Sequence, residues 1–181
     1  MFKGKKTILK AYEKGFSPIA CKLWNDEELR SFMDSSALLP VSLPEEDSIV
    51  DRFMNPKDKS RAYDFAITTL QGKYIGGCSY FDFNYRTGTV WVGIAIGDKN
   101  YWAKGYGTDA LNTLLRLLFN EHNARKVLLK VFAFNERAIA SYKKLGFKVE
   151  GCLIEQLYRG GKYHDEFIMS LFKNNCPKSK R

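Results

Sequence analysis

The residues best placed to do chemistry form one run, Lys104-Gly105-Tyr106-Gly107-Thr108-Asp109-Ala110, shortly after the apolar stretch Val90-Trp91-Val92-Gly93-Ile94-Ala95-Ile96. An apolar strand leads into a glycine-punctuated turn, and the turn opens into a helix. Glycines keep side chains away, so successive backbone N–H groups can converge on an anion, and the helix adds its positive dipole end there. In outline this is a pyrophosphate cradle. Gly105-x-Gly107-x-x-Ala110 also fits the dinucleotide pattern G-x-G-x-x-G/A, which calls for an acidic residue at the end of the next strand. The next strand-like run, Lys126 to Phe132, ends instead in Ala133-Phe134-Asn135. A P-loop needs Gly-Lys-Ser/Thr after a four-residue gap, and the sequence contains none. An ordinary strand-to-helix turn is the third reading.

Other chemistries find less support. Cys21, Cys78, Cys152 and Cys176 stand far apart with no C-x-x-C pair, and His122 and His164 are isolated, so no metal-ligand spacing appears and no metal is expected. The cysteines read as reduced thiols of a cytoplasmic protein. The N-terminus is basic but lacks the apolar core of a signal peptide, and no stretch approaches the length of a membrane span.

The elements that must position the glycine turn can be read from periodicity. Thr7 to Tyr12 alternates like a strand. Helices are predicted over Pro18–Asn25, Asp26–Met33 with Asp26 as N-cap, and Pro44–Met54 with acids in its first turn. Strands follow at 62–69, 73–83 and 89–96, separated by hairpin-sized gaps. Helix 107–121 repeats Leu111, Leu114, Leu115 and Leu118 on one face. Strand 126–132 and helix 135–145 come next, the helix stopped by Gly146. Two last strands, 147–158 and 163–172, flank Arg159-Gly160-Gly161-Lys162. The order β-α-α-α-β-β-β-α-β-α-β-β makes an α/β protein with a mixed central β-sheet flanked by α-helices. A single domain over 1–181 is expected, with its core at about 6–172 and a basic tail at 173–181 ending in Lys178-Ser179-Lys180-Arg181.

Of 181 residues, 45% are hydrophobic and 27% charged, as in an ordinary globular protein, and the net charge is +9. That charge is uneven: residues 1–23 carry +5, residues 24–70 carry −5 and residues 71–181 carry +9. The lysines line no recognisable helix face, and no nucleic-acid-binding signature is present, so a basic body holding an anionic cofactor is favoured over nucleic-acid binding.

The segment Asn135-Glu136-Arg137-Ala138-Ile139-Ala140-Ser141-Tyr142-Lys143-Lys144-Leu145-Gly146-Phe147 lies one strand beyond the turn. It resembles the N-x-x-(A/S)-x-x-x-Y-x-K-x-G-F segment of the GNAT superfamily of N-acetyltransferases. Lys104 to Thr108 resembles that superfamily's acetyl-CoA pyrophosphate loop. Tyr158 to Glu166 is similar to the hairpin of the branch containing ribosomal-protein N-terminal and spermidine acetyltransferases. The resemblance implies a GNAT fold over nearly the whole chain. It also implies direct transfer of acetyl from acetyl-CoA to a primary amine, such as a protein N-terminus, a polyamine or another small amine. Tyr142 would be the general acid at the CoA sulfur. Gly105, Tyr106, Gly107 and Thr108 would supply the pyrophosphate loop, Lys104 a charge, and Asn135 a hydrogen bond to pantetheine. Ile94, Ala95 and Ile96 would pair with pantetheine like an added strand. A homodimer is compatible with the fold.

Two positions depart from the family pattern. Trp102 stands where Gln or Arg commonly begins the pyrophosphate motif, and Trp91 stands where many relatives carry a basic Glu. Glu155, Asp82 and His164 are the candidates left for the base, beside a water chain. Without an effective base the domain could be a non-catalytic acetyl-CoA sensor or scaffold, and an oxidoreductase with an atypical glycine turn is a third class. The acids Asp26, Glu27, Glu28, Asp34, Glu45, Glu46, Asp47 and Asp51 either line a mouth for a cationic amine or are solvated helix faces. Trp24, Phe32 and Phe53 among them could wall that mouth or belong to the core.

Overall fold

The computed structural model describes residues 1–33 and 38–176. Eight strands form one sheet: β1 (Phe2–Lys3), β2 (Thr7–Lys10), β3 (Tyr63–Thr69), β4 (Tyr74–Asn84), β5 (Thr89–Ile96), β6 (Lys126–Phe132), β7 (Lys148–Arg159) and β8 (Lys162–Phe172). Their spatial order is β1-β2-β3-β4-β5-β6-β8-β7, and every pairing is antiparallel except β5 with β6. The helices are α1 (Ser17–Trp24), α2 (Glu27–Ser31), α3 (Leu43–Met54), α4 (Tyr106–Asn120) and α5 (Glu136–Lys144). The sequence-based order holds, with the two-residue β1 added at the sheet edge.

Local chemistry sets the boundaries. Asp26 accepts from the Leu29 N–H at 3.0 Å and starts α2, while Ser42, with Pro44 in the first turn, starts α3. The leucine face of α4 packs against alternate residues of the central strands, giving the main core with Ile67, Val90, Val127 and Met169. Ile139, Leu145 and Phe147 bring α5 and its following strand to the same core. A smaller core on the opposite side holds Tyr12, Phe16, Ala20, Val50, Ala66 and Tyr74 beneath α1 and α3. Trp24 and Phe53 pack there, so they are core residues and wall no pocket. At the other end of the chain, a 3-10 turn at Lys173–Asn175 begins with the Lys173 N–H bonded to the Arg125 carbonyl at 3.0 Å. The expected basic tail is thus docked at its start, and residues 177–181 lie outside the described residues.

One irregularity opens the sheet. Parallel pairing of β5 with β6 stops after Trp91↔Leu128, although the strands run on to Ile96 and Phe132. Past that point the strands diverge and leave a wedge.

Candidate active site

A cleft of about 840 Å³ fills the wedge. Ile94, Ala95 and Ile96 form one wall, Asn135 and Tyr142 stand across from them, and Gly105, Gly107 and Thr108 close one end. The cleft thereby gathers eight of the ten residues singled out in the sequence. Gly105 sits just before α4 with φ +82°, a left-handed conformation that an L side chain would strain. The N–H groups of Tyr106, Gly107 and Thr108 form the first turn of α4, where no intrahelical acceptor exists. A Cβ at Gly107 would lie 3.4 Å from the Ile96 side chain, so a larger residue would crowd the cradle. These features fit an anionic pyrophosphate.

The other two residues contribute differently. Lys104 offers its carbonyl to the Lys6 ammonium at 2.7 Å, and its side chain does not line the cleft. Tyr106 packs edge-on against Tyr101 with centroids 4.8 Å apart, leaving only its backbone for the cradle.

Asn135 is buried and caps α5 by accepting from the Ala138 N–H at 3.2 Å. Its carboxamide N–H₂ is left for another partner. Thr108 and Ser141 share a hydroxyl hydrogen bond at 2.6 Å that ties the cradle to α5. Tyr142 packs near Phe147, and burial pushes its hydroxyl pKa up to about 12. It therefore keeps its proton at neutral pH.

Sequence reasoning missed what Trp102 does. Its indole N–H donates to the Ile96 carbonyl at 2.6 Å, and the Arg137 guanidinium lies 3.5 Å over its ring. Trp102 thus fixes the end of β5 where Gln or Arg was the expected residue. Phe32 packs edge-on against the same indole at 6.3 Å, so among the tryptophans and phenylalanines of the acidic region it is the one that reaches the cleft.

The three candidate bases separate. Asp82, at a bulge of β4 with φ +51°, lines the cleft and is exposed. Glu155 lies at the β7 bulge, its N–H bonded to Asp165 at 2.9 Å, and does not line the cleft. His164 packs on Phe134 with a ring nitrogen 3.2 Å from the Arg159 carbonyl, also away from the cleft lining. The acids at the start of α2 and in α3 do not form its mouth either. Asp26 and Glu28 both pair with Lys99, at 2.8 and 2.5 Å, while Glu46 is buried. Asp34 lies outside the described residues. The carboxylates lining the cleft are Asp82 and Glu166, the latter 3.4 Å from Lys130.

Residues 7–148 match the family model of the acetyltransferase (GNAT) domain. The chain belongs to the GNAT family. An uncharacterized N-acetyltransferase, p20 of Bacillus licheniformis, is 24% identical over 169 residues, covering 93% of each chain. Spermidine N(1)-acetyltransferase of Vibrio cholerae is 25% identical over 157 residues, covering 87% of each. Among solved structures, Vibrio cholerae spermidine N-acetyltransferase in complex with CoA and spermine superposes with TM-score 0.81 at 23% identity, over 93% of this chain and 96% of that one. The ribosomal L7/L12 alpha-N-protein acetyltransferase RimL, in complex with CoA, gives the same TM-score at 19% identity, over 93% of this chain and 94% of that one. This GNAT chain is an N-acetyltransferase that uses acetyl-CoA and transfers to an amine. The dehydrogenase reading of the glycine turn is set aside, and nothing favours a non-catalytic sensor. No helix of the described residues is long and apolar enough to cross a membrane.

Proposed function

We propose that this GNAT enzyme acetylates a small polycationic amine by direct attack on the thioester at the free edge of β5. The end of β5–β6 pairing after Trp91 is the observation that carries the reading. It leaves backbone groups of Ile94 to Ile96 facing a cleft, where an extended pantetheine arm can complete the ladder. The first turn of α4 receives the pyrophosphate, and Asn135 bonds the arm from the opposite wall. Tyr142, protonated at neutral pH, gives its proton to the departing sulfur. None of the four cysteines lines the cleft, which supports attack by the amine itself over a cysteinyl acyl-enzyme.

The rest of the cleft supports this acceptor class. Phe81, Trp91 and Phe132 provide apolar walls, while Asp82 provides unpaired negative charge beside the Glu166–Lys130 pair. An aliphatic chain with an ammonium at each end matches that pairing of surfaces. A protein N-terminus is the second candidate, through RimL. An acetyl-CoA-dependent thiol-release assay against spermidine, spermine, aminoglycosides, amino acids and peptides with free N-termini tests the assignment. Turnover with polyamines is the expected outcome. Turnover with peptides alone would reassign the acceptor, and silence across the panel would overturn the reading.

A further inference from the structure

An ammonium must lose a proton before it can attack a thioester, and the usual glutamate position on β5 holds Trp91. The neighbouring strands offer a different route. Asp64 of β3 is paired with Ser79 of β4, and Ser79 with Gly93 of β5. Residues directly opposite in a sheet project to the same face. Tyr63 and Phe65 pack with the α4-side core, so Asp64 projects to the other face, beneath α3. A Cβ at Gly93 would lie 3.4 Å from the Ser79 hydroxyl and 3.9 Å from Phe81, which places Ser79 in this row. Gly93 and Phe81 themselves line the cleft. Because Gly93 has no side chain, nothing at that position stands between the Ser79 hydroxyl and the cleft. Strands lie about 4.8 Å apart, so the Asp64 and Gly93 backbones are roughly 10 Å apart, a gap that two short side chains and one water can bridge.

We propose that the row Gly93–Ser79–Asp64 is a proton path, with the Ser79 hydroxyl relaying the proton of the acceptor ammonium to the Asp64 carboxylate. This rests on the proposed reading of the cleft as the place where the amine meets the thioester. The ammonium gives one proton to the Ser79 oxygen as Ser79 passes its own, through the bridging water, to Asp64, which becomes the neutral acid. The freed nitrogen pair forms the bond to the thioester carbon, and the carbon–sulfur bond breaks with its electrons on sulfur. Tyr142 protonates that sulfur, and the second proton shed by nitrogen restores Tyr142. Asp64 returns its proton to solvent, so each turnover yields amide, free thiol and one released proton.

The surroundings of Asp64 suit the role. It is partly buried, and among the described residues its side chain has no ion pair and no hydrogen bond. Burial raises its pKa to about 6, opposed in part by Arg52 facing it from α3. Tyr12, from the segment after β2, and the Cys78 thiol also feel its charge, and burial holds both neutral. A carboxylate with a pKa near 6 is ionised at neutral pH yet basic enough to take a proton. Glu155, Asp82 and His164 drew attention in the sequence because they lie near expected motifs, whereas Asp64 lies among strand formers. An acid inside a strand is itself unusual, and that was the available signal.

Asp64→Asn, Asp64→Glu and Ser79→Ala test the path, with kcat measured from pH 5.5 to 9 on spermidine or the amine selected by the panel. The wild type is expected to lose kcat below pH about 6. D64N should lower kcat on the order of 10²-fold at pH 7 with the acetyl-CoA KM unchanged, and should flatten that acid limb. D64E should restore the limb. S79A should lower kcat less, and the double variant should be no worse than D64N, as for two residues of one path. An acid limb that persists in D64N, or a loss equal at every pH, overturns the assignment while leaving the proposed function standing. A wild type silent toward every amine overturns both. Independently of turnover, the Asp64 carboxyl carbon followed by NMR in the free protein should titrate near pH 6, and titration near 4 would overturn the assignment.

Discussion

At Tyr142, one hydroxyl meets two requirements of a general acid. It stands on the cleft wall opposite Ile94 to Ile96, and burial keeps it protonated, with a pKa near 12. Tyr142→Phe removes the proton and keeps the ring packed near Phe147, so the fold and the cradle should be unaffected. We expect kcat to fall by about 10²- to 10³-fold, with acetyl-CoA affinity by calorimetry within about twofold of wild type. The wild type should also show no alkaline loss of kcat below pH about 10, because the acid does not ionise there. Unchanged turnover in Y142F at all pH values would remove Tyr142 from the mechanism. Tyr142 was legible in the sequence because its motif follows the glycine turn by one strand. Trp102 was not, because its bond to the Ile96 carbonyl depends on how the loop folds back on β5.

At the scale of elements, α4 is held in place by a contact that periodicity could not reveal. Asp109, in its first turn, accepts hydrogen bonds from the backbone N–H groups of Lys5, Lys6 and Thr7, at 2.9 Å each, and from the Thr7 hydroxyl at 2.7 Å. Gly4 packs close against this carboxylate, since a Cβ there would lie 2.3 Å from Asp109. One side chain thus joins the start of the cradle helix to the bend before β2. Partial burial works against the charge, but these donors together hold the carboxyl below its ordinary pKa. The stabilisation is present above the unfolded-state value and disappears as pH falls through the folded one. Asp109→Ala should cost about 2 kcal/mol at pH 7 by denaturant unfolding, and less near pH 3. An equal cost at both pH values would mean that packing, not charge, is what the variant loses. The leucine repeat of α4 and the alternation of β2 were readable because each records a local period, and β3 to β5 because hairpin-sized gaps separate them. The divergence of β5 from β6 was not, because no residue pattern specifies where a parallel pair stops. β1 was also hidden, since two residues are too few to show alternation.

At the scale of the whole molecule, the two charge populations seen along the chain meet beside the cleft. Of the acidic helices α2 and α3, α3 covers the small core, and Lys99 ties Asp26 and Glu28 at the start of α2 to the loop ahead of the cradle. The cradle itself is bordered by cations: Lys6 beside Lys104, Arg137 over Trp102, and Lys144 on the cleft wall. These cations, on a chain of net charge +9, attract a polyanionic co-substrate before contact is made. The proposed cationic acceptor would meet negative charge at Asp82, since Glu166 is paired with Lys130. Salt screens both approaches, because the Debye length shrinks from about 30 Å at 0.01 M to about 8 Å at 0.15 M. The apparent KM for acetyl-CoA should therefore rise several-fold between about 10 and 150 mM KCl, while kcat changes little, since the reacting groups are in contact and poorly screened. Lys104→Ala should raise that KM at low salt and flatten its salt dependence, because its ammonium lies outside the cleft lining and acts at a distance. If KM is equally independent of salt in both proteins, the backbone amides of the cradle hold the pyrophosphate without help from the field, and the uneven charge has no part in binding acetyl-CoA.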